Sequence, residues 1–302
     1  MKKQFFAVAI VAAMAAAAMT ACSENALDAE SEVMNAEPTE VRMTFSPYDM
    51  APMTRAVAVE CSAVLPTRAA TRAAVSDFAT RLDIWIYQGG TEVQAIHQQK
   101  TDEDFASLAV TLDKTKTYTL YAVAHKGTDV ATLSNGVVSF PGDKVTHTFF
   151  YSTTFSPATS TVLTCQMERI VGNFIIETTD QKPAEVQDMA IHIGSSPVAW
   201  NVAGYGVQPQ DRTATFANVS SRSDGTVALS CFIIADSDEA ENYDITLSAT
   251  AADGSTVQSR TFADVPIRNG YKTQYRGAFF IDEDITATFT VSDWNSFDIV
   301  EF

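Results

Sequence analysis

Short runs of alternating apolar and polar residues, each closed by a turn sequence, follow one another from Arg81 almost to the C-terminus. Residues 82–87 and 91–97 flank Gly89-Gly90, and paired glycines supply the positive φ angles that a tight hairpin turn requires. Asp253-Gly254 marks a similar turn further along the chain. Helical periodicity never exceeds a single turn. The pattern predicts an all-β protein built from antiparallel strands.

The strand-like segments fall into two groups, separated by a linker at residues 152–160 that is rich in Ser, Thr and Pro. The first group comprises residues 82–87, 91–97, 108–112, 118–124, 136–140 and 144–151. The second comprises residues 161–167, 170–178, 189–193, 213–219, 227–234, 243–250, 256–262, 271–280 and 286–291, with a short terminal candidate at 298–302. The chain is long enough for two cores. We therefore predict two tandem antiparallel β-sandwiches, at 39–155 and 161–302, with a single domain as the alternative.

The N-terminus has the features of an export signal. Lys2 and Lys3 precede an apolar run at residues 5–19 that is too short to span a bilayer. The run ends in Met19-Thr20-Ala21-Cys22, which resembles a bacterial lipobox, although Met19 stands where Leu or Val is usual. We predict a signal peptide at 1–21 and a lipid on Cys22, and each acyl methylene that enters the membrane contributes about 0.8 kcal/mol. The alternative is an ordinary signal peptide cut near Ala21.

Three segments of different composition follow the predicted signal peptide. Residues 22–38 are acidic and polar without any period, which indicates a flexible tether. Val41, Met43 and Phe45 then alternate with polar residues and predict one half-buried strand. An exposed stretch follows in which the tripeptide Thr-Arg-Ala occurs three times, with its arginines at Arg55, Arg68 and Arg72.

Composition and motifs argue against several functions. The formal net charge is −17, which makes nucleic acid and anionic lipid headgroups poor partners and suits an extracellular surface. The sequence contains no H-E-x-x-H, no G-x-S-x-G, no Walker loop and no dinucleotide-binding fingerprint. We predict no enzymatic activity and no cofactor. The separated histidines are expected to be structural: His97, His125, His147 and His192.

Acidic clusters do not have the spacing of a metal site. Asp236, Asp238, Glu239 and Glu241 invite comparison with a calcium loop, but Glu241 stands where an EF-hand requires glycine. A solvated acidic loop is the better interpretation, and the same holds for residues 282–284. We predict no metal site.

Three cysteines remain once Cys22 carries a lipid, so at most one disulfide can form. Alternation places Cys165 and Cys231 on apolar strand faces, which favours buried free thiols. A Cys165–Cys231 disulfide is the alternative. Cys61 lies in the exposed Ala-, Pro- and Thr-rich stretch.

Aromatic residues raise the possibility of a sugar platform. Trp85 alternates with apolar neighbours and is expected to face another sheet or a domain interface. Trp200 and Tyr205 lie in a glycine-containing segment and form the one pair expected to be exposed, while Trp294 is a core or rim candidate. A surface lipoprotein that binds glycans is therefore an alternative function.

Several sequence features together resemble the fimbrillin superfamily of Bacteroidales type V pili, in particular its anchor-type lipoproteins. They are the lipobox cysteine Cys22, the strand Arg-Leu-Asp-Ile-Trp-Ile-Tyr at 81–87 before its two glycines, Arg-Ile-Val-Gly-Asn-Phe at 169–174, Arg-Asn-Gly-Tyr-Lys-Thr at 268–273 with Gly277 and Phe279-Phe280, and Asp293-Trp294. The resemblance spans nearly the whole chain after the signal peptide. These motifs are structural, so they identify the family more securely than a role within it.

The resemblance implies that the two sandwiches are transthyretin-like and that the protein is a structural subunit of a surface fimbria. It implies an anchor or accessory lipoprotein on the outer membrane, exposed outward, whose partners are other fimbrial subunits bound by β-strand addition. The alternative is a polymerising stalk or tip subunit that is matured by cleavage after Arg55, Arg68 or Arg72. Such a cut would remove the strand of Val41, Met43 and Phe45 and leave a groove for a strand from the next subunit. Residues 298–302 are either such a donor strand or the last strand of the sandwich.

Overall fold

The computed structural model describes residues 36–48, 74–236, 239–281 and 289–293. This part of the chain contains seventeen β-strands and two 3-10 turns, at Val75–Asp77 and Pro141–Asp143, so the prediction of an all-β protein is confirmed. Within these residues no helix is long and apolar enough to cross a membrane.

The strands have the following bounds. The first nine are β1 (Pro38–Pro47), β2 (Arg81–Gln88), β3 (Thr91–Gln99), β4 (Ser107–Asp113), β5 (Tyr118–His125), β6 (Thr132–Ser134), β7 (Val137–Ser139), β8 (Thr148–Phe155) and β9 (Val162–Arg169). The next eight are β10 (Gly172–Thr178), β11 (Val186–Asn201), β12 (Tyr205–Phe216), β13 (Ala228–Ile233), β14 (Glu241–Ala251), β15 (Thr256–Ile267), β16 (Tyr271–Gly277) and β17 (Phe289–Asp293).

Both predicted hairpin turns are present. Gly89 and Gly90 have φ angles of 55° and 84° and connect β2 to β3. Gly254, with φ 83°, connects β14 to β15. Positive φ is accessible to glycine at little cost because it has no Cβ.

One sheet has seven strands in the order β3-β2-β5-β8-β9-β1-β4. Its inward side chains form a core that includes Met43, Leu82, Leu120, Cys165 and Met167. The N-terminal strand β1 lies inside this sheet, parallel to β9 and antiparallel to β4.

The C-terminal strands form two further sheets in a sandwich-like arrangement. One has the order β13-β10-β16-β17, and the other has the order β15-β14-β11-β7-β6, with β12 also paired to β11. Phe174, Ile191, Leu247 and Tyr275 belong to the core between them. The long strand β11 shifts register between Ile193 and Ser196 and continues beyond this core.

Two strands lie in a different sheet from the one expected. β9 falls within the predicted second sandwich, but it pairs with β1 and β8, and its Cys165 and Met167 belong to the first core. β7 falls within the predicted first sandwich, but it pairs with the C-terminal end of β11. The chain therefore passes from the first core to the C-terminal core after β9, near Ile170. The described residues from Ala36 onward form one compact unit by their contacts.

A third apolar cluster joins the two cores. It contains Trp85 of β2, Phe150 of β8, Trp200 of β11 and Ile234 after β13, together with Phe140. The expectation that Trp85 faces an interface is confirmed, because it is 3% exposed in this cluster. We call this cluster the junction.

Candidate functional site

The first candidate site is β1 and the groove that it fills. Val41 and Met43 are fully buried and Phe45 is 5% exposed, while Arg42 and Thr44 between them face solvent. This alternation is the one predicted from the sequence. All three apolar side chains belong to the first core.

Hydrogen bonds hold β1 on both of its edges. Val41 is opposite Val110 of β4, and Phe45 is opposite Cys165 of β9. The Arg42 amide donates to the Thr161 carbonyl at 2.9 Å, and the Phe45 amide donates to the Ala106 carbonyl at 2.9 Å. Without β1, the facing edges of β4 and β9 would both lose their partners, and the core would be open between them.

The other residues singled out from the sequence in this region lie outside the described residues. They are the lipidation candidate Cys22 and the processing candidates Arg55, Arg68 and Arg72. The described chain stops at Tyr48 after β1 and starts again at Ala74, just before the first 3-10 turn. All three arginines therefore fall in sequence between β1 and the rest of the fold.

The two described cysteines are buried free thiols, as favoured from the sequence. Cys165 lies in the first core and Cys231 in the C-terminal core, so the alternative of a disulfide between them is wrong. Burial raises the pKa of each thiol to about 12, which makes the thiolate scarce at neutral pH.

The expected exposed aromatic pair is not formed. Trp200 is 3% exposed because β11 runs on to Asn201 and carries this side chain into the junction, where its ring centroid lies 6.2 Å from that of Phe150. Tyr205, 43% exposed, is the member of the pair at the surface. The prediction that Trp200 is exposed is wrong, and Trp294 lies outside the described residues.

Asp83 is a buried carboxylate that the sequence pattern does not predict. Asp83 of β2 is fully buried, and its oxygens lie 2.9 Å from His97 Nδ1 and 3.0 Å from His125 Nε2. The Ala131 amide donates to the same carboxylate at 2.8 Å. The Gly127 amide donates to His125 Nδ1, so His125 donates its Nε2 proton to Asp83. These two histidines are thus partners of one buried acid.

The other two histidines also have packing or hydrogen-bonding partners. His147 accepts a hydrogen bond from Arg169 Nε at 2.9 Å, and His192 lies 3.2 Å from the Thr213 hydroxyl. Burial, followed by the charges of Arg169 and Lys126, lowers the pKa of His147 to about 2. Among the described residues, no group of three or more His, Cys, Asp or Glu side chains is arranged to hold a metal ion.

In the acidic loop that begins at Asp236, the carboxylate of Glu241 accepts hydrogen bonds from neighbouring residues. The Glu241 carboxylate accepts hydrogen bonds from the Asp236 amide at 2.9 Å and from the Tyr243 hydroxyl at 2.8 Å. Burial, followed by the contact with Glu241, raises the pKa of Tyr243. Asp238, and the second acidic cluster at 282–284, lie outside the described residues.

Asp180 organises the chain after β16. Its carboxylate accepts hydrogen bonds from the consecutive amides of Phe279, Phe280 and Ile281, at distances from 2.6 to 3.0 Å. The diphenylalanine singled out in the sequence therefore sits in a turn that Asp180 clamps, with Phe279 fully buried.

These features define an all-β protein in which sheets pack in a sandwich-like arrangement and the N-terminal strand is held inside its sheet. No curated protein matches this sequence. The chain belongs to the DUF6562 family, described as a family of unknown function, whose model matches residues 35–299.

Solved structures with a similar fold come from species of Bacteroides and Porphyromonas. A protein from Bacteroides ovatus described as a candidate adhesin has a TM-score of 0.50 and 10% identity, over 84% of this chain and 95% of its own. A Bacteroides thetaiotaomicron protein described as a candidate polysaccharide-binding protein has a TM-score of 0.50 and 12% identity, over 84% of this chain and 96% of its own. The fimbrial anchor protein Mfa2 from Porphyromonas gingivalis has a TM-score of 0.45 and 11% identity, over 85% of this chain and 98% of its own. At these identities the comparisons show a shared fold.

Proposed function

We propose that this protein is a non-enzymatic structural subunit of a surface fimbria, a type V pilus, and that it serves as the outer-membrane lipoprotein anchor or as an accessory subunit. In this proposal two tandem transthyretin-like sandwiches are held on the outer membrane, facing outward, by a lipid on Cys22. The partners are other fimbrial subunits, which bind by β-strand addition. The motifs that resemble anchor-type lipoproteins support the proposal, as does the fold shared with the candidate adhesin from Bacteroides ovatus.

The observation that carries the proposal is the position of β1. It is an interior strand, yet in sequence it is separated from the remaining strands of its sheet by residues 48–80. A strand with that connection can stay in its groove or leave it as a unit. Burial of Val41, Met43 and Phe45 stabilises the filled groove by about 1.5–3 kcal/mol for each side chain, which is enough to keep β1 in place in an uncut chain.

The mass of the mature protein, isolated from its native membrane, tests the anchor role. A chain that starts at Cys22 and carries acyl groups is expected, and Cys22→Ser should abolish incorporation of labelled palmitate. A Ser23→Ala variant, which changes the next residue, should still be labelled. Labelling that survives in Cys22→Ser, or a mature chain without lipid, would contradict the anchor role.

A polymerising stalk or tip subunit is the second candidate, and the placement of the arginines favours it. Cleavage after Arg55, Arg68 or Arg72 would detach the whole of β1, because each lies between β1 and the turn at Val75–Asp77. In that case the mature chain would start at Ala56, Ala69 or Ala73. Replacing the three arginines with glutamine should then stop maturation and assembly, whereas an anchor should assemble as before.

A further inference from the structure

A cavity of about 300 Å³ lies on the outer face of the seven-stranded sheet, beside the junction. On one side it is lined by β8 and β9, which contribute Ser152, Gln166 and Glu168. On the other side it is lined by Trp200 and by the turn at 202–204, which follows β11. Small-molecule pockets have volumes of about 300–1,000 Å³, so this cavity has room for a small ligand such as a single sugar ring.

The lining of this cavity carries no net charge. Its two charged residues, Glu168 and Arg169, have opposite signs. The Arg169 guanidinium lies 5.1 Å from the centroid of the Phe149 ring, and its Nε donates to His147 at 2.9 Å. A charged ligand would lose its hydration here without an excess of opposite charge in the lining, so a neutral ligand is favoured.

Uncharged polar groups of the lining are able to exchange hydrogen bonds with hydroxyls. Ser152 and Gln166 are exposed, and each side chain both donates and accepts. The amide of Asn269 is positioned by two hydrogen bonds with the backbone of Ala235. The indole Nε1 of Trp200 has no hydrogen-bond partner among the described residues, although this side chain is 3% exposed. Because a buried donor without an acceptor is destabilising, an oxygen that reaches this N–H relieves that cost.

A row of aromatic rings leads from the cavity across the same face of the sheet. Phe150 lines the cavity, and the Tyr121 ring stacks on it with centroids 6.5 Å apart and an interplanar angle of 20°. Tyr87 follows, with its ring centroid 5.8 Å from that of Tyr121. Both tyrosines are half-buried, and the hydroxyls of Thr119 and Thr154 lie on the same face, 3.4 Å apart. This face therefore offers apolar ring surface and hydroxyl groups side by side.

A saccharide presents the same two kinds of surface. The C–H groups of a hexose ring form an apolar face that packs against aromatic side chains, while its hydroxyls exchange hydrogen bonds with amides and other hydroxyls. A neutral hexose also carries no charge, in agreement with the balanced lining. A purely apolar ligand would leave the amide and hydroxyl groups of the cavity unmatched.

We propose that this face binds a neutral oligosaccharide, with one hexose in the cavity against Ser152 and Gln166 and the next units over Tyr121 and Tyr87. The side chains that form the site belong to β2, β5, β8, β9 and β11, and none belongs to β1. Binding requires neither a lipid on Cys22 nor assembly with other subunits. The proposal can therefore fail while the fimbrial function holds, and the reverse is also true.

An array of immobilised oligosaccharides of glucose, galactose and mannose, incubated with the purified full chain, tests the proposal. At least one of them should bind, and titration calorimetry with that oligosaccharide then gives the affinity of each variant. Ala203→Trp, at an exposed position of the turn that lines the cavity, should obstruct it and weaken binding at least about tenfold. Ala109→Trp, exposed on β4 and outside the lining, should leave the affinity unchanged. Failure of the chain to bind any of these oligosaccharides, or full affinity in Ala203→Trp, would overturn the proposal.

Gln166→Ala tests the hydrogen bonds in the cavity. It should weaken binding by about two- to tenfold, the effect of one neutral hydrogen bond. Gln99→Ala, the same change at an exposed position of β3 outside the lining, is the matched control and should bind like the unmodified chain. Equal affinities of the two variants would contradict the placement of the sugar.

Tyr121 tests the aromatic row. Tyr121→Phe keeps the ring and should bind the oligosaccharide almost as the unmodified chain does, whereas Tyr121→Leu should weaken oligosaccharide binding several-fold. Binding of the single hexose that occupies the cavity should be the same in both variants. Equal affinity of Tyr121→Leu and Tyr121→Phe for the oligosaccharide, or a preference of the unmodified chain for oligosaccharides that contain uronic acids, would contradict the proposal.

Discussion

The imidazole of His147 lies flat on the ring of Phe232, with ring centroids 5.2 Å apart and an interplanar angle of 2°. His147 precedes β8 in the first sheet, while Phe232 is on β13 beside the C-terminal core. The edge of Phe78 closes a second side of the imidazole at 5.6 Å. The stack therefore connects the two cores through a group that can acquire a proton.

Acid should destabilise the fold through His147. Its pKa is lowered to about 2 in the folded chain, whereas an unfolded histidine titrates near 6.5, so between these values the unfolded state binds more protons. Stability should fall as pH falls below about 6.5, by at most about 1.4 kcal/mol for each pH unit from this residue. Urea unfolding at several pH values between neutral and mildly acidic conditions measures the slope.

His147→Gln is the informative variant, because its amide oxygen can still accept from Arg169 but cannot be protonated. Its stability should be lower at neutral pH and vary less with pH than that of the unmodified protein. His192→Gln, an exposed position on β11, is the matched control and should leave the curve close to that of the unmodified chain. An unaltered slope in His147→Gln would contradict the assignment.

Replacing Asp83 should be costly because its partners are buried with it. In Asp83→Ala the amide of Ala131 and Nε2 of His125, which is 1% exposed, lose their acceptor in an environment without water. We expect a loss of about 3–5 kcal/mol in the free energy of unfolding. Asp83→Asn keeps one acceptor oxygen and should lose less. Denaturant titration checks both, with Glu92→Gln on the exposed face of β3 as the control.

The sequence predicts the β2–β3 hairpin but does not predict which residues surround Asp83. Gly89-Gly90 and the alternation around it predict the hairpin, because these signals are local. Counting residues back from that turn, however, places Ile96 opposite Asp83. A bulge between Ile86 and Tyr87 shifts the register by one residue, so that His97 is opposite Asp83 instead.

For a related reason, the sequence does not predict which sheet β7 joins. β7 pairs with β11 through contacts such as Val138 opposite Trp200, between residues that are far apart in sequence. No local pattern encodes such a pairing, and a linker composition at 152–160 says nothing about which sheet β9 joins. The exposed state predicted for Trp200 depended on a loop that the continuation of β11 removes.

Gln98 should contribute more to stability than is usual for a glutamine, because its polar side chain is buried. It is 4% exposed at the end of β3, where its Nε2 donates to the carbonyls of Asp104 and Ser107 and its Oε1 accepts from the Ala106 amide at 3.0 Å. Gln98→Ala leaves these backbone groups without partners, and about 2–3 kcal/mol of stability should be lost. Gln99→Ala, the exposed neighbour, should change stability by less than about 0.5 kcal/mol. Similar effects of the two changes would contradict this role.

Asp180 should control the turn that contains the diphenylalanine. Three consecutive amides donate to its carboxylate, and Asp180→Ala would remove the acceptor from all of them while Phe279 must stay in the core. Hydrogen bonds to a charged acceptor are worth about 1.5–3 kcal/mol, so a loss of about that size or more is expected in the unfolding free energy. Asp180→Asn retains an acceptor oxygen without the charge and should fall between the alanine variant and the unmodified protein. Amide hydrogen exchange separates a local effect from a global one: Phe280 and Ile281 should lose protection in both variants before the strands of the C-terminal core do. Retained protection at these amides in Asp180→Ala would mean that the core, and not the carboxylate, holds the turn.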